Sequence, residues 1–178
     1  SSDQLIQYGP FEAKHAAGVN RLLKEAYGPS YPYQAGTVVP PGAYYFVAVW
    51  VLTGEVIGFA RSRWLEAETP HAYPCVHELG GYVVAEAYRR RGIGERLSQL
   101  CEQAAHAERG EIHLAHSEPV SWGNGLASQR IFAKHGFHVL GVSVFKYPDI
   151  SVEWHGRQPA SMTIVAKRSD GTTFARRP

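Results

Sequence analysis

Cysteine is scarce in this chain: of 178 residues only Cys75 and Cys101 are cysteine, too few and too far apart to organise the fold. A disulfide framework uses more of them, and a structural zinc site uses closely paired spacings. Two reduced thiols in a cytoplasmic protein are the expectation. Long apolar runs are absent as well. No stretch approaches the roughly 18 residues of a membrane span, and the first residues lack the basic-then-apolar profile of a secretory signal. No membrane partner is therefore expected. Charge of one sign is not in excess either: 18 Lys and Arg stand against 16 Asp and Glu, a formal net charge of +2. That is too little for the many phosphate contacts of a nucleic-acid binder, so no nucleic-acid partner is expected. Two motifs are missing, the Gly-x-Ser-x-Gly elbow of a serine hydrolase and the Gly-Lys-Ser/Thr end of a P-loop. His113, His116 and Glu118 can be drawn as a metal set, but residues i and i+3 of a strand point to opposite faces. No metal is expected.

What is present suffices for one core. Apolar residues make up 44% of the chain, and the length suits a single domain spanning residues 1–178. Gln4 to Tyr8 reads as a short strand. Phe11 to Tyr27 places Ala16, Val19, Leu22, Leu23 and Ala26 at helical spacing, stopped by Gly28-Pro29. Residues 28–43 read as a loop rich in Pro, Gly and Tyr. Ala43–Leu52 and Val56–Leu65 form a hairpin about Thr53-Gly54-Glu55. A strand follows from Cys75 to Val84, with Gly80-Gly81 marking a bulge or a close backbone approach. Gly92–Glu108 is the best helix, with Ile93, Leu97, Leu100, Cys101 and Ala104 on one face. Ile112–Ala115 reads as a strand, Asn124–His135 as a helix, and Phe137–Tyr147 and Met162–Lys167 as strands. The order predicts an α/β (α+β) architecture, a mixed and mostly antiparallel twisted sheet flanked by helices.

The most informative segment is Tyr82-Val83-Val84-Ala85-Glu86-Ala87-Tyr88-Arg89-Arg90-Arg91-Gly92-Ile93-Gly94. An apolar strand ends, a polar loop intervenes, and a long helix opens between two glycines. Such a helix mouth presents unpaired N–H groups and the positive end of the helix dipole to a diphosphate. Arg89, Arg90 and Arg91 add charge beside it. A solvated arginine run is the plain alternative. A dinucleotide turn fails because its third glycine falls on Leu97.

In that strand-before, helix-after context, Arg89-x-x-Gly92-x-Gly94 resembles the acetyl-CoA pyrophosphate motif of the GCN5-related N-acetyltransferases. Phe132-Ala133-Lys134-His135-Gly136-Phe137 resembles the family's second landmark, a helix ending in Gly-Phe. Together the matches cover roughly residues 43–147. The resemblance implies an acyl-CoA N-acyltransferase fold and acetyl-CoA as acyl donor. It implies that Arg89 to Gly94, Ile93 included, grip the pyrophosphate. It also implies that the backbone of Tyr82, Val83 and Val84 bonds the pantetheine arm. The sequence departs from the pattern at Phe132, where the family usually has the tyrosine that protonates the departing thiolate. The family's frequent asparagine aligns with Gly125, one residue past Asn124. Asn124 and Ser128 are the substitute cofactor contacts, and water or a hydroxyl such as Tyr147 is the substitute acid.

An amine at neutral pH is mostly ammonium, so direct attack through a tetrahedral intermediate needs a base. It also needs donors for the developing oxyanion, offered by N–H groups near Gly81 and Val83. Glu78, eleven residues ahead of Arg89, resembles the family's base in position; an ion-paired rim carboxylate is the alternative. Its neighbour His77 faces the other side of a regular strand. Tyr31, Tyr33, Trp64 and Trp122 are the candidate lining of an acceptor pocket. The expected activity is acetylation of a primary amine on a small molecule, by a monomer or homodimer. Acetylation of a protein N-terminus or lysine, and a non-catalytic CoA-binding module, are the two alternatives.

Overall fold

A computed structural model of the chain describes residues 2–29, 31, 33–64, 76–107, 112–117, 124–144 and 161–172. Seven strands build one sheet in these residues: β1 (Ile6–Pro10), β2 (Ala43–Trp50), β3 (Glu55–Trp64), β4 (Val76–Val84), β5 (Ile112–Ser117), β6 (His138–Val144) and β7 (Ser161–Arg168). Their order across the sheet is β1-β2-β3-β4-β5-β7-β6. Only the β4–β5 pair is parallel, and every other neighbouring pair is antiparallel. The expected mixed, mostly antiparallel sheet is borne out.

Three helices cover it: α1 (Ala16–Tyr27), α2 (Ile93–Ala107) and α3 (Asn124–Lys134). Strand alternation sends side chains to both faces, and each face has its own core. On one, Val19, Leu22 and Leu23 of α1 pack with Tyr45, Val47, Phe59 and Val83. On the other, Ile93, Leu97 and Cys101 of α2 and Phe132 of α3 pack with Ala48, Ile57, Ala60, Leu79, Ala115 and Val165. Burying each Val, Leu, Ile or Phe side chain among these stabilises the fold by about 1.5–3 kcal/mol. Gly58 sets how closely α2 approaches: a Cβ there would lie 3.0 Å from both Ile93 and Leu97. The helix therefore lies against β3, and its N-terminus sits just past the end of β4.

The N-terminal elements differ from the sequence reading. β1 is two residues later than expected and ends on Pro10, whose missing N–H is tolerated because β1 is an edge strand. The expected long helix from Phe11 is preceded by a 3₁₀ turn over Ala13–His15. His15 Nδ1 accepts the Glu12 amide at 2.9 Å, holding that turn. The end at Gly28, with φ of 99°, is as expected.

Candidate functional site

The site begins where two strands part. Pairing of β4 with β5 stops at Leu79↔Ala115, although β4 continues to Val84 and β5 to Ser117. On the opposite edge, Phe59 faces Val83 and Arg61 faces Gly80, so Gly81 and Tyr82 together oppose Ala60. This is the bulge anticipated from Gly80-Gly81. The Tyr27 hydroxyl, from the end of α1, donates to the Tyr82 carbonyl at 2.6 Å, which fixes the bulged backbone. The stretch Gly80–Val84 thus has an edge that faces no β5 backbone, and an extended chain can pair along it.

That edge runs to the mouth of α2. After a 3₁₀ turn at Glu86–Tyr88, the loop places Arg90 at φ 66° and Gly92 at φ 75°. An L-residue in the left-handed region costs about 1–2 kcal/mol, and such strain gathers at functional turns. Alternate residues turned this way gather backbone N–H groups into an anion-binding concavity. The first bond of the helix turn runs from Arg96 N to Gly92 O at 3.0 Å. The amides of Ile93, Gly94 and Glu95 come before it. A Cβ on Gly92 would meet nothing within 4 Å, so glycine is needed there for its dihedral. A Cβ on Gly94 would touch only Val84, at 3.6 Å. Arg89, Arg90 and Arg91 are exposed. Arg89 Nε donates to the Val84 carbonyl at 3.1 Å, and the Arg91 guanidinium lies 5.4 Å from the Tyr88 ring centroid. An open strand edge leading to bare amides fits a pantetheine arm ending in a diphosphate.

Glu78 lies one residue before the last β4–β5 pair, on the α1 face. Both Nε and Nη2 of Arg63 reach its Oε1 at 3.3 Å. The ion-pair alternative and the candidate base therefore describe the same carboxylate. Tyr31 stacks on Tyr27 at 4.7 Å, and Tyr33 meets Tyr31 edge-on at 6.5 Å. The Arg61 guanidinium covers Tyr33 at 3.9 Å. Burial pushes the Tyr33 phenol upward, with Tyr45 beside it adding to the shift. Trp64 does not join this wall. By alternation from Arg61 and Arg63 it lies on the other face, opposite His77. His77 faces that side as expected, and it is buried there, stacked on Tyr44 at 6.2 Å.

Phe132 is buried, its ring edge-on to Phe137 at 5.0 Å and to Tyr82 at 6.0 Å. The Tyr82 side chain turns into that face, its hydroxyl 3.2 Å from Ser98 Oγ, and burial pushes its phenol well up. Ser128 is half-buried on α3, and Asn124 opens that helix. Tyr147, Trp122, Cys75 and Glu118 lie outside the described residues. Cys101 is buried with a free thiol. Among the described residues no group of three ligating side chains is placed to hold a metal, and no helix is long and apolar enough to cross a membrane. Sequence reasoning missed Arg61 and Arg63, because their partners lie 15 or more positions away.

A family model described as the acetyltransferase (GNAT) family matches residues 16–137. Among solved structures, Arabidopsis thaliana NAA60 in complex with acetyl-CoA is similar with a TM-score of 0.70 and 13% identity, over 92% of this chain and 98% of that one. An IAA acetyltransferase from Bacillus cereus gives 0.65 and 17%, over 92% and 99%. Ribosomal-protein-alanine N-acetyltransferase from Brucella melitensis gives 0.66 and 17%, over 91% and 99%. At these identities the likeness is one of fold. No curated protein matches the sequence.

Proposed function

The chain belongs to the GNAT family of acetyltransferases and is an acyltransferase, and on that premise we propose that it moves an acetyl group from acetyl-CoA to a primary amine of a small molecule. One observation carries the reading: the β4 edge left open beyond Leu79 leads to the α2 mouth, where Arg90 and Gly92 adopt left-handed backbone. The amides of Ile93 to Glu95, with Arg89, Arg90 and Arg91, hold the diphosphate. Tyr82, Val83 and Val84 pair with the pantetheine arm, and Asn124 and Ser128 close on it from α3. The thioester carbonyl then lies by the bulge, within reach of the Gly81 and Val83 amides as oxyanion donors.

Glu78 takes the proton from the ammonium, freeing the lone pair for attack on the carbonyl carbon. The tetrahedral intermediate collapses as its C–S bond breaks to release the thiolate and its nitrogen sheds the second amine proton to solvent. Phe132 has no proton to give, so Tyr147 or water supplies it. Phe132 also favours a second reading, a domain that holds CoA without turnover. The two part in one assay, thiol release from acetyl-CoA across a panel of primary amines. Release that depends on the amine supports transfer. Tight acetyl-CoA binding with no release across the panel overturns it in favour of the binding module.

A further inference from the structure

The α1 face of the site holds a cation that neither the acyl donor nor the proposed base uses. Arg61 sits in the middle of β3, directly opposite Gly80, at the point where β4 and β5 part. Its guanidinium lies over the Tyr33 ring, 3.9 Å from the centroid, and the residue is half-buried. Among the described residues no carboxylate comes within 4.0 Å of it. Glu78, the acid on the same face, is engaged by Arg63 instead. A guanidinium held against an aromatic ring keeps its planar edge of N–H donors directed outward. That edge matches the two oxygens of a carboxylate.

Space is left for such a group. Among the described residues a Cβ on Gly80 would meet only Glu78 Oε1, at 4.0 Å, so glycine leaves room there between Arg61 and Glu78. Glu78 lies two residues from Gly80, which makes it the diagonal neighbour of Arg61 across β3 and β4. Diagonal pairs lie about 7–8 Å apart at their backbones, a distance that one small molecule spans. Tyr33 under Arg61 continues through Tyr31 to Tyr27 as a row of rings on the same face.

We propose that Arg61 anchors a carboxylate on the acceptor, so that the substrate is an amino acid or a similar small amine bearing a carboxylate. This rests on the reading of the site as an acetyl-transfer site and names its substrate class. It also separates small molecules from peptides. In a peptide the carboxyl next to the terminal amine is tied up in an amide, and Arg61 finds no anion there.

The test is thiol release from acetyl-CoA with free amino acids, the same amino acids as C-terminal amides, and short peptides with a neutral first residue. In the wild type at least one free acid exceeds its amide and peptide in kcat/KM by about 10- to 100-fold, as loss of a charged hydrogen-bonding partner implies. Arg61→Gln brings the acid down to the level of its amide, chiefly through KM. Arg61→Lys recovers part of the preference, since it keeps the charge but not the fork. A melting curve run beside each variant checks the fold, and if Arg61→Gln does not fold, Arg61→Lys carries the comparison. Equal turnover of acid and amide, or a preference that survives Arg61→Gln, overturns the proposal and leaves acetyl transfer standing. Acetyl-CoA binding with no release on any amine overturns acetyl transfer itself, and this assignment with it.

Discussion

Arg63 and Glu78 face each other across β3 and β4, with Nε and Nη2 of the guanidinium both 3.3 Å from one carboxylate oxygen. The carboxylate is mostly buried, its side chain 17% exposed, while the arginine is half in solvent. The pair holds Glu78 beside Gly80, where the proposed reaction brings the acceptor amine. Removing a positioned base slows the chemical step by about 10²–10⁴-fold. Glu78→Gln therefore lowers kcat by that order in the proposed mechanism. Unchanged turnover with the same pH–rate profile would take Glu78 out of the mechanism.

Gly92 and Gly94 differ in what they do, and substitution separates them. Gly92→Ala places an L-residue at φ 75° and lowers stability by about 1–2 kcal/mol. Gly94→Ala adds a Cβ in ordinary contact with Val84 at 3.6 Å, and its stability stays within about 0.5 kcal/mol of wild type. Urea midpoints of the two variants check the contrast. Equal losses would contradict it.

Tyr27 ties the end of α1 to the bulge through its bond to the Tyr82 carbonyl. Tyr27→Phe keeps the ring that stacks on Tyr31 but removes the donor. The expected loss is about 1 kcal/mol of stability, with a raised KM for the amine as the bulge loosens. Steady-state kinetics beside a denaturation curve reads both.

His113 is buried on β5 beside His77, its partner in the parallel pair. Burial, with Lys167, His77 and His106 adding positive charge, pushes its pKa down to about 4. The unfolded chain titrates near the ordinary value of 6.5, so between these limits the unfolded state binds the extra proton. Stability is full above pH 6.5, declines as the pH falls towards 4, and levels off below. The total is on the order of 3 kcal/mol. Denaturation midpoints across that range test it, and in His113→Leu the decline is shallower.

Local pattern carried most of the fold. The hairpin about Thr53 and Gly54, the helix opening after Gly92 and the bulge at Gly80-Gly81 are each written in neighbouring residues, whose spacing reports the backbone period directly. The Arg89 to Gly94 motif was legible for the same reason. The acceptor side was not. Arg61 meets Tyr33, 28 positions earlier, only because β3 and the loop after α1 share a face. Composition alone places Trp64 with those aromatics, yet strand alternation puts it across the sheet. The left-handed Arg90 gave no sign in the sequence, since arginine has no preference for that region. Face and register decide such contacts, and one-dimensional spacing does not record which elements pack together.

The grip on the diphosphate is read by calorimetric titration with CoA and with pantetheine, which lacks the diphosphate and the adenosine 3′-phosphate carried on it. If amides at the α2 mouth grip the diphosphate, CoA binds at one site per chain and pantetheine binds at least 100-fold more weakly. No detectable affinity for CoA, or equal affinity for the two, would show that the α2 mouth holds no diphosphate.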